Sequence, residues 1–199
     1  MKLNIFSKEE EHYYRAFQKF RDDLFLPVSK QLAAKGVKPD HLSYLGVLLI
    51  IPFVFFFASN PWLSAICLTL NVLLDCLDGP LARYTHTASD RGALVDLICD
   101  YGSFSAVFIT IAYYGLMTPF WAALYFVQYA LMLYLVTYCR RKNIRFFPVV
   151  RSKYYLYLML LWLLVTGLNW FDPFLVLFGV YMTATNIFLF DSIRCSKRS

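Results

Sequence analysis

Charge is scarce in this chain. Lys, Arg, Asp and Glu make up 16% of its 199 residues, whereas hydrophobic residues make up 59%. Soluble domains carry about 25% charged and about 45–50% apolar residues, and a small fold needs polar surface in proportion to its size. The shortage argues against a soluble fold; the alternative is an unusually apolar soluble α domain. It also excludes disordered, collagen-like and low-complexity chains, whose compositions are different. Cysteine shows no framework. Cys67, Cys76, Cys99, Cys139 and Cys195 share no metal-ligand spacing, and they read as small buried hydrophobes. The opening MKLNIFSKEEEHYYR lacks the apolar stretch of a signal peptide, because acids stand where it belongs.

What is present is a series of long apolar runs, at about 42–58, 62–77, 92–114, 119–139, 154–171 and 174–190. Short polar hinges such as Ser59-Asn60-Pro61 and Asp78-Gly79-Pro80 separate them. Several runs are near the roughly 20 residues that cross a bilayer, and continuous apolar character at such length favours helices. The sequence therefore predicts an all-α integral membrane protein with six transmembrane helices. Residues 1–40 form an amphipathic segment, in which Tyr13, Phe17, Phe20 and Leu24 recur at helical spacing among charged residues. An interfacial helix fits this pattern, as does a solvated helix packed on the domain. Pro27 is expected to kink or end it. Residues 41–193 are expected to form the six-helix transmembrane domain, and 194–199 a basic tail.

Net charge is +6, compatible with nucleic acid, anionic lipid or an acidic substrate, so position decides. Six spans put both termini on one side with the loops after the second and fourth spans. All 19 Lys and Arg fall there, and the three opposite hairpins have none. The positive-inside rule makes that side cytoplasmic in a multi-pass protein of the cell membrane. Membrane lipids, not nucleic acid, are the expected large-scale partner. The basic loop from Arg140 to Lys153 reads as a topology signal and an anionic-lipid contact.

The informative residues are acids. Asp75 and Asp78 lie three apart at the end of the second run, and Asp96 and Asp100 four apart at the start of the third. Each spacing puts its pair on a single helical face. Four carboxylates gathered at one membrane side repel one another unless a cation neutralises them. Hard oxygen ligands suit Mg²⁺, Mn²⁺ or Ca²⁺, and four acids suffice to share two ions. The plainer alternative is a set of salt bridges with Arg83 and Arg91. Gly79 and Gly92 frame the acids, and Arg83 is a natural bidentate phosphate partner. The residues by themselves point to metal-assisted phosphoryl chemistry at the inner face of a membrane. His12, His41 and His86 share no ligand spacing and read as surface or interface residues.

Asp75-Cys-Leu-Asp78-Gly79-Pro-Leu-Ala82-Arg83, followed by Gly92-Ala-Leu-Val-Asp96-Leu-Ile-Cys-Asp100, resembles the signature of the CDP-alcohol phosphotransferase family. The resemblance implies transfer of a phosphoalcohol, usually phosphatidyl, unit from a CDP-linked donor such as CDP-diacylglycerol to a small alcohol or phospho-alcohol, releasing CMP. It implies that Asp75, Asp78, Asp96 and Asp100 hold two divalent ions, Mg²⁺ or Mn²⁺, and that Asp100 is the general base. Asp75, Asp78, Gly79, Ala82, Arg83 and Gly92 would contact the CDP portion. Ser43 joins them from Pro39-Asp40-His41-Leu42-Ser43, where Asp and Ser depart from the Asn and Thr of the family's commonest form. A homodimer is likewise implied.

For the acceptor, glycerol 3-phosphate and inositol phosphate are favoured, with Arg194, Arg151 and Arg145 as candidate contacts. Two rivals stand beside the enzyme reading: a cation-coupled membrane transporter and a non-catalytic membrane scaffold. The transporter is disfavoured because all four acids lie at one end of their helices rather than near the midplane.

Overall fold

The computed structural model describes residues 8–142, Ile144, Val149 and residues 152–196, leaving aside the side chains of 8–17, Asp90, Arg140 and Ser196. The described chain is seven α-helices in two compact units, one of them Ala16–Tyr114 and the other running from Gly115 onward together with the start of α1.

The first unit contains most of α1 (Lys8–Ala34), then α2 (Pro39–Phe56), α3 (Pro61–Tyr84) and α4 (Asp90–Tyr113). Local chemistry sets the starts. Pro39 and Pro61 occupy first-turn positions, where a missing N–H costs no helical hydrogen bond. The Asn60 side chain accepts from the Leu63 N–H at 3.1 Å, and Ser89 Oγ from the Gly92 N–H at 3.1 Å. Helix α2 packs against both α3 and α4. Its inward stripe is Leu42, Gly46, Ile50 and Phe53. A Cβ on Gly46 would sit 3.1 Å from Asn71 Nδ2, so the glycine permits this close approach of α2 to α3. Ser64 Oγ ties the two helices by donating to the Phe53 carbonyl at 3.0 Å.

Two expected breaks are absent. Helix α3 runs unbroken through Asp78-Gly79-Pro80, so the hinge read there is corrected. Neighbouring elements in a membrane domain can offset the one N–H that Pro80 removes. Helix α1 likewise continues through Pro27 to Ala34, correcting its expected kink or end. Pro27 is exposed, so solvent or interface can take up the backbone group it strands. Of the apolar stripe on α1, Phe20 and Leu24 are exposed, while Tyr13 and Phe17 lie outside the described side chains.

The second unit contains α5 (Pro119–Lys142), α6 (Lys153–Thr166) and α7 (Phe171–Ser196). Helix α7 packs along α5 and touches α6. Asp172 joins helix starts by accepting from the Thr118 N–H at 2.8 Å and from its hydroxyl. Gly167, left-handed at φ 72°, ends α6 after only 14 residues. The apolar run read as 154–171 therefore holds a helix shorter than expected.

Among the described residues, five helices are long and apolar enough to cross a membrane: α2, α3, α4, α5 and α7. Outward faces agree, since Phe55 is 76% exposed and Val180 67%. Exposed apolar surface on this scale belongs in lipid. The chain is an all-α, multi-pass membrane protein with an N-terminal helix.

Candidate metal centre

The acids take their places from two helical faces. On α3, Asn71, Asp75 and Asp78 recur at the four- and three-residue steps of one face; on α4, Asp96, Asp100 and Ser103 do the same. Because α3 stays helical through Gly79, Asp75 and Asp78 remain in register up to its last turns. The Ser89 cap fixes where α4 begins, and with it the orientation of Asp96 and Asp100.

One carboxylate oxygen from each of Asp75, Asp78 and Asp96 lies within 4.8 Å of the other two. Asp100 is not one of this converging trio. It lines the same small cavity of about 10 Å³, together with Ser43, Asn71 and Ser103. That is room for one ion or water. Ser43 Oγ donates to Asp78 Oδ2 at 3.2 Å, linking α2 to the acids. Like charges at this spacing in a membrane domain are costly unless a cation is bound. The donors are all hard oxygens, the set that Mg²⁺ and Mn²⁺ prefer. Asp75, Asp78 and Asp96 form a site able to hold a divalent ion.

A wider cavity of about 230 Å³ adjoins the acids and shares Ser43, Asp78 and Asp96 with the small one. Gly79 and Gly92 line it, and so do Lys38, Asp40, Thr87 and Ser89. A Cβ on Gly92 would meet Ser89 Oγ at 3.4 Å, so the glycine keeps this wall thin.

The other sequence-predicted residues fall differently. Ala82 and Arg83 line neither of these two cavities. Ala82 accepts the Thr87 N–H on its carbonyl at 3.0 Å, closing the turn after α3. Arg83 reaches α1 instead: its Nε donates to Asp22 Oδ2 at 2.8 Å, and its Nη2 to Asp22 Oδ1. Arg194 is exposed near the end of α7, in the second unit. Arg145 and Arg151 lie outside the described residues. His86 is exposed in the α3–α4 turn at φ 55°.

Several lining residues were missed. Asn71 and Ser103 extend the two acid faces by one turn, a periodic signal that was available. Lys38, Thr87 and Ser89 come from turns, where no period marks them, and the Asp22–Arg83 pair joins residues 61 apart.

Residues 37–190, well over half of the chain, match the family model described as CDP-alcohol phosphatidyltransferase. Among curated proteins, the chain is 34% identical over 91 residues to an archaetidylinositol phosphate synthase of Pyrococcus horikoshii, covering 45% of this chain and 48% of the relative. It is 28% identical over 83 residues to a CDP-diacylglycerol–inositol 3-phosphatidyltransferase of Drosophila melanogaster, covering 42% of this chain and 37% of that protein. The matched stretches thus span less than half the length of these relatives. Among solved structures, the phosphatidylinositol phosphate synthase of Mycobacterium tuberculosis, in complex with manganese and citrate, superposes with a TM-score of 0.60. That match covers 84% of this chain and 85% of the other at 20% identity, a likeness of fold.

Proposed function

The chain belongs to the CDP-alcohol phosphatidyltransferase family, and from that premise we propose that it transfers a phosphatidyl-type group from a CDP-linked lipid to a small hydroxyl acceptor, releasing CMP. The observation that carries the reading is the convergence of Asp75, Asp78 and Asp96 beside a cavity walled by Gly79 and Gly92.

Asp75, Asp78, Asp96 and Asp100 would hold two divalent ions, Mg²⁺ or Mn²⁺, which when bound neutralise the diphosphate and stabilise charge developing on it. Asp100 takes the proton of the acceptor hydroxyl, directly or through one water. The hydroxyl oxygen forms its bond to the β-phosphorus as the bond from that phosphorus to the CMP oxygen breaks. Ser43 steadies Asp78 by hydrogen bond, and Gly79, Ala82, Arg83 and Gly92 serve the nucleotide and its phosphates. Gly92 acts by leaving the wall of the wider cavity without a side chain.

The acceptor we favour is a phosphorylated polyol, inositol phosphate ahead of glycerol 3-phosphate, because the relatives named above all carry inositol in their names. Arg194, Arg151 and Arg145 are its proposed cationic contacts. We further propose that α6 is a sixth, short span and that α1 lies in the interface. The acids and both termini would then face the cytoplasm, and two copies would pair as a homodimer. The one-sided placement of every Lys and Arg supports that orientation. A transport role has no comparable support.

The test supplies purified protein with CDP-diacylglycerol, Mg²⁺ or Mn²⁺, and a panel of inositol phosphate, glycerol 3-phosphate, inositol and serine, and follows CMP. CDP-choline with diacylglycerol completes the panel. Metal-dependent CMP release with one acceptor is expected; none with any pair would overturn the reading. Asp100→Asn should lower turnover by about 10²–10⁴-fold, the range for loss of a general base, while largely sparing CDP affinity.

A further inference from the structure

The N-terminal helix delivers a second arginine to Gly79. Arg21 Nη2 lies 3.0 Å from the point that a Cβ on Gly79 would occupy, and Arg83 Nη1 and Nη2 lie 3.3 and 3.5 Å from the same point. Two guanidinium groups therefore converge on one stretch of backbone that has no side chain. Asp22 occupies one edge of Arg83 through Nε and Nη2. Arg21 Nε is buried without a hydrogen-bond partner. Two cations drawn this close, with the Asp22 carboxylate already engaged by Arg83, form a site that a multivalent anion would relieve.

The anion is indicated by what surrounds Gly79. This residue follows Asp78 of the metal centre and lines the wider cavity. A guanidinium offers several N–H donors in a fixed plane, suited to the oxygens of a phosphate. We propose that Arg21 is a donor-binding residue: its guanidinium, beside Arg83, binds the diphosphate oxygens of the CDP-linked substrate, which makes α1 a wall of the donor site. The inference rests on the function proposed above. Asp22 is then a positioning residue, holding Arg83 so that its Nη1 stays turned toward Gly79.

The experiment compares full-length wild-type protein with Arg21→Gln and Arg21→Lys in Mn²⁺, by steady-state kinetics in CDP-diacylglycerol and by calorimetric titration with CDP. Losing one charge-assisted contact of this kind should raise the donor KM and the CDP Kd of Arg21→Gln by about tenfold or more, with kcat within about threefold. Arg21→Lys should fall between Arg21→Gln and wild type. Unchanged CDP affinity in Arg21→Gln overturns the proposal, and so does a loss of kcat with donor KM and CDP Kd intact, the mark of a purely structural arginine. If Arg21→Gln does not fold, Arg21→Lys decides: a CDP Kd raised by about threefold or more supports the contact, and an unchanged one overturns it. The titration needs no turnover. Wild-type protein inactive with every acceptor would sink the proposed reaction, while CDP binding would still decide the role of Arg21.

Discussion

The unit Ala16–Tyr114 and the unit that follows it are both built from apolar helices, yet they differ in how their polar side chains are grouped. In the second unit such groups meet as complementary pairs. Tyr125 donates its hydroxyl to Ser152 at 2.7 Å, Asn186 Nδ2 donates to Gln128 Oε1 at 2.7 Å, and Asp172 accepts from Thr118. Each pair joins two elements, and its geometry accounts for its presence. The first unit has such pairs too, Asp22 with Arg83 among them, but there like also gathers with like: three carboxylates within 4.8 Å, and two guanidiniums around one glycine. Complementary pairs stabilise a fold, whereas clusters of one sign cost stability until something of the opposite sign arrives. The contrast separates structural polarity from polarity kept for a ligand.

The sharpest way to break the comparison is Asp96→Asn. It should lower CMP release by at least about 10²-fold, as loss of transition-state electrostatic support does. It should also weaken Mn²⁺ binding in a direct titration. Metal-free stability should hold or rise, because one of three like charges is gone; a clear fall would mean that Asp96 serves the fold after all. A smaller effect is expected from the ion alone. Mn²⁺ at about 100 times its Kd should stabilise wild-type protein by about 2.7 kcal/mol. Thermal unfolding in detergent should show this gain, chelator should reverse it, and Asp96→Asn should lack most of it. The smallest effect belongs to the second unit. Tyr125→Phe should cost about 1 kcal/mol of stability by stranding Ser152, with turnover per folded molecule unchanged. A large kinetic defect there would erase the distinction between the units.

Much of this organisation was legible before any fold was known. The three- and four-residue spacings of the aspartates express the helical period, which tertiary packing does not alter, so the acid faces were readable from sequence. The apolar runs were readable for the same reason, since lipid exposure leaves an unbroken compositional trace. Proline misled. At Pro27 and Pro80 a local rule forecast a break, but one missing N–H is a small loss beside the packing of a whole helix. The extent of α6 was hidden because Gly167 stands inside an apolar run and composition does not report a left-handed backbone. Arg21 and Asp22 looked like the polar side of an amphipathic helix. Only the approach of α1 to α3 shows that they converge on Gly79 and Arg83, and such long-range pairing has no periodic signature.

The brevity of α6 has a consequence outside the protein. At 14 residues it is about 21 Å long, against a hydrocarbon core of about 30 Å. In the six-span arrangement proposed above, that hydrophobic mismatch is met by local thinning of the lipid, by snorkelling of flanking side chains or by oligomerisation. Bilayer thickness then becomes a variable of the protein's environment. Reconstitution into lipids of graded acyl length should reveal a preference for shorter chains, and longer ones should impose a strain centred on α6.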